Sequence, residues 1–235
     1  QVLMLEDCKG NRSLIVSADI FAFDPIIAST VQKYAGYWKI PNTAVLLNAS
    51  HTHYAPPTLK RALPSLGEYS ESFVEAIINR IIWSLPVLRQ NLKPIRIEIG
   101  HTESSIALFR RDYKAGEPTF ITSPNQDPTL SYGHVGLAKV TWVDDLKSVV
   151  LVNYGCHPTE FESLPMISSA YPGLLRSEVQ SHFDLKGLMF LQGAAGDHKV
   201  GLLDDGTYRW PLTAQEAIQA IVPLIEAIKA RLSLP

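Results

Sequence analysis

The sequence has little that would mark a disulfide-stabilised, membrane-spanning or nucleic-acid-binding protein. Its two cysteines among 235 residues, Cys8 and Cys156, cannot form a disulfide framework and lack the paired spacing of a cysteine zinc site. No apolar run approaches the roughly 20 residues that span a bilayer. The net charge of −2 gives no electrostatic reason for nucleic acid or an anionic membrane to be the main partner. The redox compartment stays undetermined.

The composition is that of an ordinary globular protein, with 46% hydrophobic and 19% charged residues. The length suits one large α/β domain or two small ones and is ample for a buried core. The chain starts at Gln1 and runs directly into a strand-like segment, so we expect that residues precede it.

Strand-like and helix-like segments alternate along the chain. Buried strands are predicted at residues 14–20, 43–47 and 187–191. Helices are predicted at residues 25–37, 70–89, 172–182 and 213–232, with Asp24 as the N-cap of the first and Pro223 as a kink in the last. This alternation predicts an α/β fold with layered β-sheets flanked by helices.

Three further segments refine this prediction. Residues 137–143 and 148–154 are predicted to form a hairpin around Asp144 and Asp145, which makes at least one sheet mixed. Residues 94–99 alternate like a half-exposed strand that stops at Gly100. Residues 116–133 are rich in Pro, Gly, Ser, Asn and Asp, and this composition predicts a long loop.

Polar clusters that contain histidine or aspartate follow three of the predicted strands. They are His51-Thr52-His53, His157-Pro158-Thr159 and Gly196-Asp197-His198. Ligands of α/β folds bind at the carboxyl ends of strands, so these clusters predict one convergent site.

Imidazole is a common ligand for Zn²⁺, and a catalytic zinc usually has three protein ligands and a water whose pKa falls to about 7. In an extended His-x-His segment, the side chains of His51 and His53 point the same way. Both rings could then bind one metal ion. Alternatively, one ring binds the metal while the other serves as a proton donor or a substrate contact.

Six segments in this order resemble those of the neutral/alkaline non-lysosomal ceramidase family. They are RSLIVSADI (12–20), NASHTHYAP (48–56), FRRD (109–112), NYGCHPTEF (153–161), SAYPG (169–173) and FLQGAAGDHK (190–199). The resemblance spans almost the whole chain, and six ordered matches are more specific than any one of them.

The resemblance implies a zinc-dependent hydrolase that cleaves the amide bond of ceramide or of a related N-acyl substrate. By position, His51 and His157 resemble zinc ligands, and His53 resembles a second-shell or catalytic histidine. Arg110 or Arg111 resembles an active-site arginine that binds an oxyanion or a substrate oxygen. The resemblance also implies that residues 1–235 form a single N-terminal catalytic domain, incomplete at both ends, and suggests a secreted or periplasmic location.

The chain departs from the family pattern at several positions. Phe109 stands where Asn is usual, and the SAYPG segment lacks an Asp. The family continues after Gly-Asp with Val-Ser, whose Ser is the proposed nucleophile, whereas His198 and Lys199 follow here. Serine chemistry of that type is therefore not expected in this chain.

The family's remaining zinc ligands, a Glu and a Tyr, lie downstream of the segments matched here. Either the sequence is a fragment, or substitute ligands complete the site. Candidates near predicted strand ends are Asp19, Glu160, Asp197 and His198. We assign Asp19 to the metal site and Asp197 to the catalytic group, although Asp19 could instead orient a histidine and Asp197 could simply form a turn.

Two other functions remain open from the sequence. The first is a metal-dependent hydrolase of a non-lipid ester or amide, which the missing Ser favours. The second is a degenerate relative that binds a ligand without turnover, which the missing Glu and Tyr favour if the chain is complete. The expected partner is a small-molecule or lipid N-acyl substrate, with no nucleic acid and no transmembrane segment, and the oligomeric state is left open.

Overall fold

The computed structural model describes residues 1–61, 66–114, 116–120, 123–161 and 166–234. The helices in these ranges are α1 (Pro25–Gly36), α2 (Glu71–Gln90), α3 (Ala170–Phe183) and α4 (Ala214–Leu232). The longer strands are β1 (Val2–Glu6), β2 (Arg12–Ala18), β3 (Val45–Ala49), β4 (Ile95–Phe109), β7 (Tyr132–Trp142), β8 (Ser148–Tyr154) and β9 (Gly187–Gln192). The shorter strands are β5 (Arg111–Lys114), β6 (Glu117–Phe120), β10 (His198–Val200), β11 (Leu202–Asp204) and β12 (Thr207–Arg209).

The longer strands form two mixed sheets. The first has the order β1-β2-β3, in which β1 and β2 are antiparallel and β2 and β3 are parallel. The second has the order β10-β4-β7-β8-β9, in which only β8 and β9 are parallel. The predicted hairpin at residues 137–154 is confirmed, because β7 and β8 pair across it.

The two sheets pack face to face between two layers of helices. Alternation along the strands produces this arrangement: Leu14 and Val16 of β2 face α1 and α2, whereas Ile15 faces the second sheet. On the far side, β8 and β9 pack their other faces against α3 and α4. The predicted α/β fold with layered mixed sheets flanked by helices is therefore confirmed.

Side-chain caps define the starts of three helices. The carboxylate of Asp24 accepts a hydrogen bond from the Ile26 N–H, which confirms the predicted cap of α1. Ser70 and Thr213 cap α2 and α4 in the same way. Pro223 lies within α4 as predicted. Within the described ranges, no helix is long and apolar enough to cross a membrane.

The prediction that a strand ends at Gly100 is wrong. β4 runs for 15 residues, from Ile95 to Phe109, and leads directly to Arg110. The guanidinium of Arg231 on α4 packs over Gly100, where a Cβ would lie 2.7 Å from one of its nitrogens. A β-bulge between Glu103 and Ala107 then alters the register with β7.

The prediction of a continuous loop at residues 116–133 is also wrong in part. β6 pairs with β5 across a turn that includes Gly116, whose φ of 86° suits glycine. A short 3-10 turn at Pro128–Leu130 begins at Asp127, whose carboxylate accepts a hydrogen bond from the Thr129 N–H. β7 begins at Tyr132, so among the described residues between β6 and β7 those at 123–127 and 131 are the ones without helix or strand.

Candidate metal centre

Three histidines lie together at the ends of two strands that belong to different sheets. His51 and His53 follow β3, whereas His157 follows β8. The ring centroids of His51 and His157 are 4.8 Å apart, and those of His53 and His157 are 5.0 Å apart. One possible ligand atom from each ring lies within 4.8 Å of the other two. The three imidazoles therefore border a space that could hold one metal ion.

The position of His51 depends on an uncommon backbone conformation. Its φ of 67° lies in the left-handed region, which few non-glycine residues adopt. Its N–H donates to the carbonyl of Ile20 at 3.0 Å, and its Nδ1 lies 2.8 Å from the carbonyl of Phe21. Because a carbonyl only accepts, Nδ1 carries the ring proton and Nε2 retains a lone pair that can bind a metal.

His53 contacts His157 directly. Their Nε2 atoms are 2.9 Å apart, so one of the two nitrogens donates a proton to the other. Thr52, which lies between His51 and His53, anchors this segment, because its hydroxyl donates a hydrogen bond to the carbonyl of Ser168 at 2.9 Å. A metal ion that bound both rings would replace the hydrogen bond between them.

The environment of His157 favours its neutral form. Burial lowers its pKa to about 3, and the neighbouring charge of Arg110 and the rings of His51 and His53 act in the same direction. The backbone carbonyl of Ala195 raises the pKa by a smaller amount. Neutral imidazole is the form that binds metal ions, so His157 needs no deprotonation near neutral pH.

Arg110 and Arg111 converge on one backbone oxygen. Nε and one terminal nitrogen of Arg110 lie 3.1 and 2.9 Å from the carbonyl of Gly196, and a terminal nitrogen of Arg111 lies 3.2 Å from the same oxygen. The same terminal nitrogen of Arg110 lies 3.1 Å from Nδ1 of His157. Arg110 is therefore part of the histidine cluster, whereas Arg111 is joined to it through Gly196.

The donor set of this cluster fits a zinc ion. His51 offers Nε2 while the carbonyl of Phe21 holds its Nδ1 proton. His157 can offer Nε2 when its proton lies on Nδ1. His53 offers Nε2 as a third ligand or as a proton carrier beside the ion. Three neutral imidazoles are a ligand set found in catalytic zinc sites.

Asp19, which the sequence assigns to the metal site, lies outside the group of ligand atoms. Its two carboxylate oxygens bind the guanidinium of Arg176 on α3 at 2.9 and 3.2 Å. This bidentate pair joins the end of β2 to α3. The structure thus gives Asp19 a partner other than a metal ion.

Asp197 and His198 bind each other rather than the histidine cluster. The carboxylate of Asp197 lies 2.8 Å from Nδ1 of His198, and Nε2 of His198 lies 3.0 Å from the carbonyl of Leu130. The backbone of the same segment does reach the cluster, because the His157 N–H donates to the His198 carbonyl. Both ring nitrogens of His198 therefore have protein partners.

Glu160 is a buried carboxyl group behind the cluster. The residue is 5% exposed, and neither carboxylate oxygen has a hydrogen bond of acceptable geometry in the described part of the chain. Burial raises its pKa to about 7, although the N–H groups of Glu160 and Tyr171 and the charge of Lys199 partly oppose this shift. Glu160 is not among the atoms that could share a metal ion with the histidines.

A cavity of about 450 Å³ opens beside His51 and His157. This volume is within the range of small-molecule sites. The cavity is lined by Phe21, Ala22, Phe23, Leu47, Asn48, Ala49, His51, His157, Gln192, Gly193, Ala195 and Gly196. Apolar side chains thus border one part of the space, and histidines and backbone groups border another.

Sequence reasoning missed several groups in this site. Phe21 and Ala195 contribute backbone carbonyls, and the identity of a residue does not reveal where its carbonyl points. Asn48 and Gln192 line the cavity and hydrogen-bond to each other. A usable signal was present, because both are polar residues at the ends of apolar strands.

The fold and site together define a class: a layered α/β protein with a histidine cluster at the carboxyl ends of strands from two sheets. Among solved structures, the chain is similar to the neutral ceramidase from Pseudomonas aeruginosa, with a TM-score of 0.70 over 97% of this chain and 19% sequence identity. The chain spans 38% of the length of that protein. At this identity the similarity shows a shared fold. No family model matches the sequence, and no curated protein matches it either.

Proposed function

We propose that this chain carries the metal centre of a zinc-dependent hydrolase that cleaves the amide bond of ceramide or of a related N-acyl substrate. The main support is the arrangement of His51, His53 and His157, whose possible ligand atoms lie within 4.8 Å of one another beside a cavity. The chain shares its fold with the ceramidase from Pseudomonas aeruginosa, and the extension of hydrolytic chemistry to this chain rests on that analogy together with the site.

In this proposal, His51 and His157 hold the zinc ion. A bound zinc ion lowers the pKa of water to about 7 and thereby supplies a nucleophile at neutral pH. The carbonyl of Phe21 keeps the proton of His51 on Nδ1, which leaves Nε2 available. The low pKa of His157 keeps its ring neutral for the same purpose.

His53 carries protons in this scheme. Its Nε2 lies 2.9 Å from Nε2 of His157, so His53 would stand beside the metal position and could take up a proton released there. The proton would then pass to the leaving amine. This role requires His53 to exchange protons and not only to occupy a ligand position.

An arginine stabilises the negative charge that develops on the substrate carbonyl oxygen. Arg110 suits this role better than Arg111 because its guanidinium contacts His157 directly. Asp197 contributes indirectly, since its backbone carbonyl accepts a hydrogen bond from the N–H of Arg110 at 2.9 Å. A pre-positioned cation of this kind typically contributes about 10²–10³ in kcat.

A non-lipid ester or amide is a second candidate substrate. Lys199 stands at the position at which the ceramidase family carries its proposed serine nucleophile, and the ring of the preceding His198 is held by Asp197 and Leu130. A substrate panel separates the two candidates. Faster hydrolysis of long-chain ceramides than of short N-acyl amides and esters supports the first, and the reverse order supports the second.

Metal analysis tests the centre itself. His51→Ala and His157→Ala should each lose zinc, whereas His101→Ala should retain it because His101 lies outside the cluster. Zinc content is measured by mass spectrometry after purification with limiting zinc. Full zinc occupancy in both cluster variants would remove the proposed mechanism, and a wild-type protein that takes up no zinc would support a ligand-binding relative without turnover.

A further inference from the structure

Side chains hydrogen-bond to backbone groups along the outer edge of β9. β9 is the last strand of its sheet in the described part of the chain, so the backbone groups on its outer side have no strand to pair with. The carbonyl of Leu188 accepts a hydrogen bond from Nε of Arg176 at 3.2 Å. The carbonyl of Phe190 accepts one from the Ser17 hydroxyl at 2.6 Å.

Asn48 contacts Gln192, the last of these three outer-edge residues of β9. Its Nδ2 donates to the carbonyl of Gln192 at 3.1 Å, and its Oδ1 accepts from the N–H of Gln192 at 2.7 Å. One side-chain amide thus pairs with both backbone groups of the same residue, as a neighbouring strand would. An ionised carboxylate of similar size cannot satisfy both groups, because it has no proton to donate to the carbonyl.

These contacts join the two sheets at the site. Ser17 on β2 and Asn48 on β3 are partners in the parallel register of the first sheet, and both reach across to β9 of the second. Ser17 contacts β9 at Phe190, which is two residues before Gln192, whereas Asn48 lines the cavity. The two side chains therefore make the same kind of connection at different distances from the histidines.

The contact of Asn48 continues to the strand that carries His157. The side-chain amide of Gln192 donates to the carbonyl of Tyr154 at 3.3 Å. Asn48 precedes His51 by three residues, and Tyr154 precedes His157 by three residues. A short hydrogen-bonded connection through Gln192 thus links the bases of the two loops that bring these histidines together.

We propose that Asn48 is a positioning residue that sets the separation of His51 and His157 for metal binding. The effect on metal binding rests on the proposed function, whereas the hydrogen bonds that Asn48 makes do not depend on it. Asn48 contributes no ligand atom and acts through the backbone of Gln192. Outer-shell groups of this kind typically change metal affinity by about 10–100-fold when they are removed.

The test compares Asn48→Ala with Ser17→Ala, because each variant removes a connection from the first sheet to β9. Zinc affinity is measured by competition with a chelator, and ligand geometry by the visible spectrum of the cobalt(II) form. We expect Asn48→Ala to bind zinc about 10–100-fold more weakly with an altered cobalt spectrum. Ser17→Ala should lose thermal stability but retain zinc affinity within about twofold and keep its cobalt spectrum.

Asn48→Asp adds a conservative variant in case the alanine variant folds poorly. Its carboxylate can still accept from the Gln192 N–H but meets the Gln192 carbonyl without a donor, so its zinc affinity should fall between those of the wild type and Asn48→Ala. Wild-type affinity in a folded Asn48 variant, or an equal loss in Ser17→Ala, would overturn the inference.

A wild-type protein without metal affinity would contradict the proposed function separately. The positioning role is then read from crystal structures of the metal-free wild type and a folded Asn48 variant. A larger separation of the rings of His51 and His157 in the variant supports the role, and an unchanged separation overturns it.

Discussion

A terminal guanidinium nitrogen of Arg110 lies 3.1 Å from Nδ1 of His157. Guanidinium only donates hydrogen bonds, so Nδ1 accepts, and the proton of the neutral ring lies on Nε2. Nε2 in turn lies 2.9 Å from His53, which can accept that proton. Metal binding through Nε2 requires the other tautomer, with the proton on Nδ1. Arg110 and a metal ion therefore favour opposite tautomers of His157.

Replacement of Arg110 by methionine should strengthen zinc binding by about tenfold, because it removes a nearby positive charge and the donor that opposes the metal-binding tautomer. The same variant should lose about 10²–10³ in kcat if Arg110 stabilises the oxyanion. Zinc affinity by chelator competition and turnover of the preferred substrate measure the two effects.

Arg111→Met is the matched control for this change. The 3.1 Å contact with Nδ1 of His157 is made by Arg110, whereas Arg111 donates to the Gly196 carbonyl that both arginines share. Its zinc affinity should stay within about twofold of wild type. Weaker zinc binding by Arg110→Met than by the wild type would contradict the opposition between Arg110 and the metal.

Replacement of His53 by alanine separates a proton carrier from a third metal ligand. As a proton carrier, His53 can be removed with zinc retained and kcat lowered by about 10²–10⁴. Zinc content and kcat are measured on the same preparation. Loss of zinc together with activity would instead assign His53 to the metal, and an active His53→Ala enzyme would exclude both roles.

The sequence predicted the layers of this fold because each long element carries a clear hydrophobic period. Local sequence alone is enough to predict buried segments such as GLMFL of β9 and the capped start of α1 at Asp24. The histidine clusters were also visible, since polar residues that end an apolar strand are conspicuous. The sequence could not supply the distances between these clusters, which depend on how the two sheets meet.

Contacts that the local sequence does not reveal explain the differences from the prediction. Glycine is typical of a strand end, but β4 continues through Gly100 because its pairing with β7 is unbroken there. The turn-rich segment before Tyr132 contains β6, which pairs with the immediately preceding β5 and was missed because its Pro- and Gly-rich composition is typical of a loop. The assignment of Asp19 to the metal site stays a prediction, and its ion pair with Arg176, which is 157 residues away, could not be predicted from the local sequence.

Asp19→Asn tests whether Asp19 contributes to the metal centre. Both of its oxygens bind Arg176, and so we expect unchanged zinc content and a free energy of unfolding that falls on the order of 1–2 kcal/mol. Zinc analysis and denaturant unfolding measure these quantities. Arg176→Gln breaks the same ion pair and serves as the comparison. Loss of zinc in Asp19→Asn but not in Arg176→Gln would show that Asp19 contributes to the metal site.

Glu160 should make the stability of the protein depend on pH. Burial raises its pKa from 4.5 to about 7 in the folded protein, so the folded state binds its proton more tightly than the unfolded state does. This carboxyl therefore costs nothing below about pH 4.5 and lowers stability progressively as pH rises to about 7, after which the loss is constant. The full loss is on the order of 3 kcal/mol.

Glu160→Gln removes this ionisation while it preserves the size of the side chain. The variant should be more stable than the wild type at pH 8 and nearly equal to it at pH 4.5, because the wild-type carboxyl is neutral there. The difference in free energy of unfolding between variant and wild type is measured by denaturant titration across this range, which cancels the titration of other groups. Glu178→Gln makes the same chemical change at an exposed position of α3 and should give no such pH-dependent difference. A stability difference for Glu160→Gln that does not change between pH 4.5 and 8 would mean that the Glu160 carboxylate is stabilised in the folded protein by a partner that compensates for its burial.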